Sequence, residues 1–196
     1  MNVAIEPLPL KGPRFEAAIS VYGAAFAPPP YSDPDRGREV RQRIVDVHSS
    51  RPGFRAFFAR VPEDDTVVGM TYGYHGCPGQ WWHDAVVRSV SRDMASSWLG
   101  DSYELVEVAV HPRMQGHGIG QQLIASLLEG RDEATCVLST RTDSRAHHLY
   151  RRLGFDILHT MRFSPNGAPF YVMGRRLPYE VAVSSPSTPG QQAALS

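Results

Sequence analysis

Gln115-Gly116-His117-Gly118-Ile119-Gly120 decides the reading of this chain, because of what lies on either side of it. Before it, Tyr103 to Val110 reads as a strand that ends at Pro112. After it, Leu123, Ile124, Leu127 and Leu128 fall on one face of a helix expected from Ile119 to Glu129. The start of a helix leaves backbone N–H groups unpaired and carries a partial positive charge. Glycines let the main chain bend so that several of those donors converge on one phosphate, with no lysine required. The Gly-Lys-Ser/Thr ending of a Walker A loop is absent, and the G-x-G-x-G spacing is not the G-x-G-x-x-G of a dinucleotide fingerprint. Taken alone, the segment is either a phosphate-binding turn or a tight connector.

Working outward, Val3 to Leu8 is expected as an opening strand. Phe15, Ala18, Ile19, Tyr22 and Phe26 recur at helical spacing, and the prolines at 28, 29 and 30 stop that helix. Ser32 or Asp33 is a candidate cap for a second helix running to about His48. Phe54 to Val61 and Val67 to Tyr74 form an expected hairpin around Pro62-Glu63-Asp64-Asp65. Residues 77–101 are irregular, with one short helix expected from His83 to Arg92. Thr135 to Thr140 is a strand, Asp143 or Ser144 caps a helix through Arg152, and Gly154 ends it. Phe155 to Phe163 and Phe170 to Arg176 close the chain as a second hairpin.

A chain of 196 residues holds one domain with a sizeable core. Its 20 basic and 20 acidic residues cancel, and no basic stripe is visible, which argues against a nucleic-acid partner. Cys77 and Cys136 lack the paired spacing of a zinc site or disulfide framework, the histidines show no metal-ligand spacing, and no metal is expected. No leader pattern opens the sequence and no apolar run reaches the ~18 residues of a membrane span. A cytoplasmic protein without a membrane partner is the expectation.

Two motifs in order identify a resemblance to the GCN5-related N-acetyltransferases. Gln115, Gly118 and Gly120 fill the pattern Gln/Arg-x-x-Gly-x-Gly/Ala, after the strand end Val108-Ala109-Val110-His111-Pro112. Asp143, Ala146, Leu149, Tyr150, Gly154 and Phe155 fill Asn-x-x-Ala-x-x-Leu-Tyr-x-x-x-Gly-Phe, with aspartate in place of asparagine. Tyr171-Val172-Met173 resembles the family's last strand. The resemblance covers residues 1–177 as an acetyltransferase domain. Residues 178–196, rich in Ser, Pro, Gln and Ala, are expected as a flexible or loosely docked tail. The fold implied is α/β (α+β), a single domain with a mixed, mostly antiparallel sheet of about seven strands and about four helices. The sheet is splayed between strand 103–110 and strand 135–140.

The chemistry implied is transfer of an acetyl group from acetyl-CoA to a primary amine, by direct attack in a ternary complex. Pantetheine lies between the splayed strands against backbone groups of Val108, Ala109 and Val110, with the Val108 N–H also facing the oxyanion. The backbone of Gln115, Gly116, His117, Gly118, Ile119 and Gly120 takes the diphosphate. Asp143 and Ala146 occupy positions that approach the coenzyme, although an aspartate cannot donate as an amide does. Tyr150 matches the phenol that protonates the leaving thiolate; at a pKa of about 10 against roughly 8.5 it stays protonated at neutral pH. Glu104 and Glu107 are both candidates for the general base. Three positions apart, they point to opposite faces of a regular strand, unless a bulge intervenes.

On the acceptor side, Tyr31 and the tryptophans Trp81, Trp82 and Trp98 lie in segments where the family varies most. They either wall a substrate pocket or pin those segments to the core. The leading acceptor is a small-molecule amine. A protein lysine or N-terminus, and a non-catalytic coenzyme-binding module, are the alternatives. Family members often pair through the C-terminal strands, so a homodimer is expected.

Overall fold

In the computed structural model, which describes residues 2–179, the apolar runs become seven strands and six α-helices. In chain order these are β1 (Ala4–Pro7), α1 (Pro13–Phe26), α2 (Arg36–Asp46), β2 (Arg55–Arg60), β3 (Val67–Gly76), α3 (Trp81–Ser89) and α4 (Arg92–Leu99). There follow β4 (Ser102–Val110), α5 (Ile119–Leu128), β5 (Thr135–Arg141), α6 (Ala146–Arg152), β6 (Asp156–Arg162) and β7 (Pro169–Arg176). One sheet runs β1-β2-β3-β4-β5-β7-β6. Every neighbouring pair is antiparallel except β4 and β5.

The helices divide by what they bury. Phe15, Ile19 and Tyr22 of α1 and Val40 and Ile44 of α2 pack on Phe58, Met70, Tyr72 and Ala109, over the β1–β4 half of one face. Trp82, Val86 and Leu99 cover Val137 and Val172 on the β5–β7 half of that face. On the opposite face, α5 and α6 meet both halves: Ile124, Leu127 and Tyr150 pack with Tyr103, Leu105, Cys136 and Leu138.

Two expectations need correction. Among the described residues there are six α-helices against the roughly four implied by the resemblance, and residues 77–101 fold into two short helices rather than one. Ser91 Oγ accepts the Met94 N–H at 3.2 Å and caps α4, breaking the expected 83–92 helix at Val90. Each short helix buries only a few residues, too few to produce a legible periodicity. Helix α2 also begins later than expected. Ser32 takes a left-handed φ of 51°, and Asp33 Oδ1 accepts the Asp35 N–H at 3.2 Å in a local turn instead of capping. Of the expected tail, residues 180–196 lie outside the described residues.

Candidate active site

The parallel pair β4–β5 is where the sheet comes apart. Only Ser102, Tyr103 and Glu104 pair with Thr135, Cys136 and Val137. Beyond them β4 continues on β3 as far as Val110, and β5 continues on β7 as far as Arg141. The His111 N–H donates to the Val68 carbonyl at 2.9 Å, so alternation turns Ala109 toward β3 and Val108 and Val110 toward the gap. The Gln115 side-chain amide takes the Val110 carbonyl at 3.1 Å, leaving the Val110 N–H and both groups of Val108 on the open edge.

Past β4 a short 3-10 turn, Pro112–Met114, leads into the glycine segment. Gly116 and Gly118 have φ values of 83° and 78°, and Gly118 is the left-handed N-cap of α5 with no side-chain cap. None of the hydrogen bonds formed among the described residues uses an N–H from Gly116 to Gln121. A Cβ on Gly116 or Gly118 would meet nothing within 4 Å, whereas one on Gly120 would press on Leu149 Cδ2 at 3.3 Å. The first two glycines thus open space outside the turn, and the third lets α5 approach α6. His117 folds its ring Nδ1 back onto the Gln115 carbonyl at 3.0 Å. The residues present fit a diphosphate: unpaired amides, an uncrowded approach and a helix start.

Helix α6 brings Tyr150 into the core beneath this opening, edge-on to Phe155 with ring centroids 5.9 Å apart. Burial raises its pKa further above the ordinary phenol value, and Tyr31, Glu107 and Cys136 add to the effect. Tyr150 is therefore a donor at any working pH. Ala146 opens α6 and packs against the same core.

The two carboxylates of β4 do share a face. Glu104 pairs with Tyr74 and Glu107 with Tyr72, two residues apart on β3, because the register slips and leaves Val106 as the extra residue. Glu104 is 4% exposed, and its Oε2 has no hydrogen-bond partner. Burial pushes its pKa up to about 8, with Arg51 and the Tyr74 hydroxyl pulling the other way. Glu107 is raised by burial too, but Arg36 at 3.8 Å and Arg43 at 3.9 Å oppose that rise. Glu104 sits where the β4–β5 pairing ends and, among the described residues, has one oxygen without a hydrogen-bond partner and no ion-pair partner.

The loop between α1 and α2 carries Tyr31 across the gap. Its ring lies 5.1 Å from the Arg36 guanidinium and 5.5 Å from that of Arg141, the last residue of β5. Arg141 holds Asp143 bidentately, at 2.9 and 2.7 Å. Asp143 thus faces an arginine of its own chain. The tryptophans separate: the Trp82 indole N–H donates to Ser139 Oγ at 2.9 Å, and Trp98 packs against Gly174 with Arg176 over its ring at 4.2 Å. Those two pin α3 and α4 to the sheet. Trp81 is 65% exposed and leans on Phe163 at 5.2 Å. Sequence reasoning missed Arg36 and Arg141; in a chain whose cations are nearly all arginine, no local signal marks them.

A split parallel pair, an anion-ready turn and a buried phenol beneath them define a coenzyme-binding acyltransferase fold. Residues 63–157 match the model of the acetyltransferase (GNAT) domain. Over 122 residues the chain is 44% identical to a GCN5-like protein acetyltransferase of Mycobacterium tuberculosis, a match covering 57% of this chain and 59% of that protein. Over 76 residues it is 37% identical to the N-alpha-acetyltransferase RimI of the same organism, covering 37% of this chain and 48% of that one. The chain therefore spans less than two thirds of the length of these curated relatives. A solved GNAT-family structure from Desulfovibrio desulfuricans superposes with a TM-score of 0.62 at 19% identity, over 89% of this chain and 99% of the other. Residues 63–157 thus carry an acetyltransferase (GNAT) domain, and the solved neighbour shares the fold. Among the described residues no helix is long and apolar enough to cross a membrane, and no group of three or more His, Cys, Asp or Glu is placed to hold a metal.

Proposed function

We propose that the protein transfers an acetyl group from acetyl-CoA to a primary amine by direct attack. The observation that carries this is the free edge of β4, continuous with the unpaired amides that open α5. Acetyl-CoA supplies the activated thioester. The Gly116–Gln121 amides hold its diphosphate, the Val108 edge orients pantetheine, and the Val108 N–H faces the oxygen that gains charge. Glu104, with its free Oε2, takes the proton from the incoming ammonium, directly or through a water. The amine nitrogen bonds the acyl carbon, and the carbon–sulfur bond breaks as the nitrogen releases its remaining extra proton to solvent; Tyr150 gives its proton to the departing thiolate and regains one from solvent.

The small-molecule amine anticipated from the sequence has a competitor. The relatives that are 44% and 37% identical carry names that specify protein and N-alpha acetylation, and these favour a protein amine. Thiol release should be followed with acetyl-CoA and three acceptor sets: small amines, peptides with a free N-terminus, and lysine peptides with a blocked one. Turnover confined to either peptide set selects the protein reading, and turnover confined to small amines selects the other. Coenzyme binding without thiol release above background in all three sets would make the chain a non-catalytic sensor.

A further inference from the structure

Arg36 touches four side chains at the opening: Tyr22, Phe26, Tyr31 and Glu107. Its Nε donates to the Tyr22 hydroxyl at 2.9 Å, and its Nη2 lies 3.8 Å from the Glu107 carboxylate in the β4 bulge. Its guanidinium also covers the Phe26 ring at 4.5 Å and the Tyr31 ring at 5.1 Å. Tyr31 reaches in turn to Arg141 at the end of β5. These contacts run from one parted strand to the other over the stretch where β4 and β5 share no hydrogen bonds.

We propose that Arg36 is a positioning residue that, wedged between Glu107 and the Tyr31 ring, fixes residues 27–35 across the mouth of the split sheet and so selects which amines reach Glu104. A guanidinium suits both contacts: its plane stacks on an aromatic ring while its edge faces a carboxylate. Burial works against the Arg36 charge, but Glu107 and Tyr22 outweigh it and keep the group ionised. Arg36 and Arg43 share the Glu107 carboxylate, and Arg141 pairs with Asp143. With Arg36 and Arg141 both engaged by carboxylates, their part in selection is the shape they impose on Tyr31.

The inference rests on the acetyl-transfer reading, and a wild-type assay with acetyl-CoA and the best amine of the panel tests that reading separately. Given turnover, Arg36→Met should raise the KM for the amine about tenfold, the scale of a lost cation–π contact and ion pair, with acetyl-CoA affinity within about twofold of wild type. Tyr31→Ala should do the same, and the double variant should be no worse than either single one. Arg36→Lys keeps the charge but not the stacking plane, so most of the KM defect should remain. Additive KM effects, full rescue by lysine, or equal losses in amine and acetyl-CoA binding would each overturn the proposal. A fall in melting temperature with unchanged kinetic constants would reduce Arg36 to a structural role and overturn it as well.

Discussion

A carboxyl group in apolar surroundings resists ionisation, and two measurements on Glu104 should read the cost. Its pKa is pushed up to about 8 by burial, so between the ordinary carboxylate range and that value the folded chain binds a proton the unfolded chain has released. Wild-type stability should therefore fall as pH rises from about 5 through 8, and Glu104→Gln should remove that slope, a difference on the order of 5 kcal/mol by pH 9. Chemical denaturation across that range reads it. Turnover should run the other way, rising with pH toward about 8 as the base loses its proton; Glu104→Gln should abolish this limb. An unchanged limb in the variant would move the base elsewhere, with Glu107 next in line. Tyr150 makes the opposite demand, since burial keeps it protonated. Tyr150→Phe preserves the ring against Phe155 and should cost roughly 100-fold in kcat, while calorimetry finds acetyl-CoA affinity unchanged.

Among the elements, β4, α5 and α6 were legible because local signals agree: a strand ending at proline, glycines before an amphipathic run, and a motif tyrosine on a helix that Gly154 ends. The N-cap of that helix is Arg145, however, and not Asp143 or Ser144, and no side chain caps it. The β4 bulge was not legible. A register slip at Val106 depends on pairing with β3, and no residue type announces it, yet it alone brings Glu104 and Glu107 to one face. Helices α3 and α4 were obscured for a related reason: short, partly buried helices are fixed by the sheet beneath them and not by their own periodicity. The bridge through Arg36 joins residues distant in sequence, beyond the reach of any motif. The glycine turn allows a test confined to one element. Gly118 is left-handed with open space where a side chain would go, so Gly118→Val strains the backbone without a clash. It should weaken acetyl-CoA binding about tenfold or more by turning the amides away, at a stability cost of about 1–2 kcal/mol. Gly120→Val instead presses on Leu149, so its main effect should be on melting temperature, through the α5–α6 contact.

At the scale of the molecule, the sheet is two half-sheets held by three paired positions, by the core that α5 and α6 share with both, and by the contacts around Tyr31. Hydrogen bonds such as Thr135 Oγ1 to the Trp98 carbonyl, at 2.8 Å, secure only the closed end. A ligand seated along the Val108 edge and the α5 turn would occupy groups that the protein leaves unpaired, and binding to the native state alone raises its stability by mass action. At a hundred times its dissociation constant, coenzyme A should add about 2.7 kcal/mol, which for a chain of this size is a rise of about 5–10 °C in melting temperature. The location of the effect matters more than its size. Hydrogen exchange should slow at Gly116–Gln121 and at Val108 and Val110, and stay unchanged along the outer strands β1 and β6. Protection spread evenly over the sheet would mean that global opening had been suppressed without a local contact. Protection missing from the α5 turn alone would remove the diphosphate from the place the unpaired amides give it.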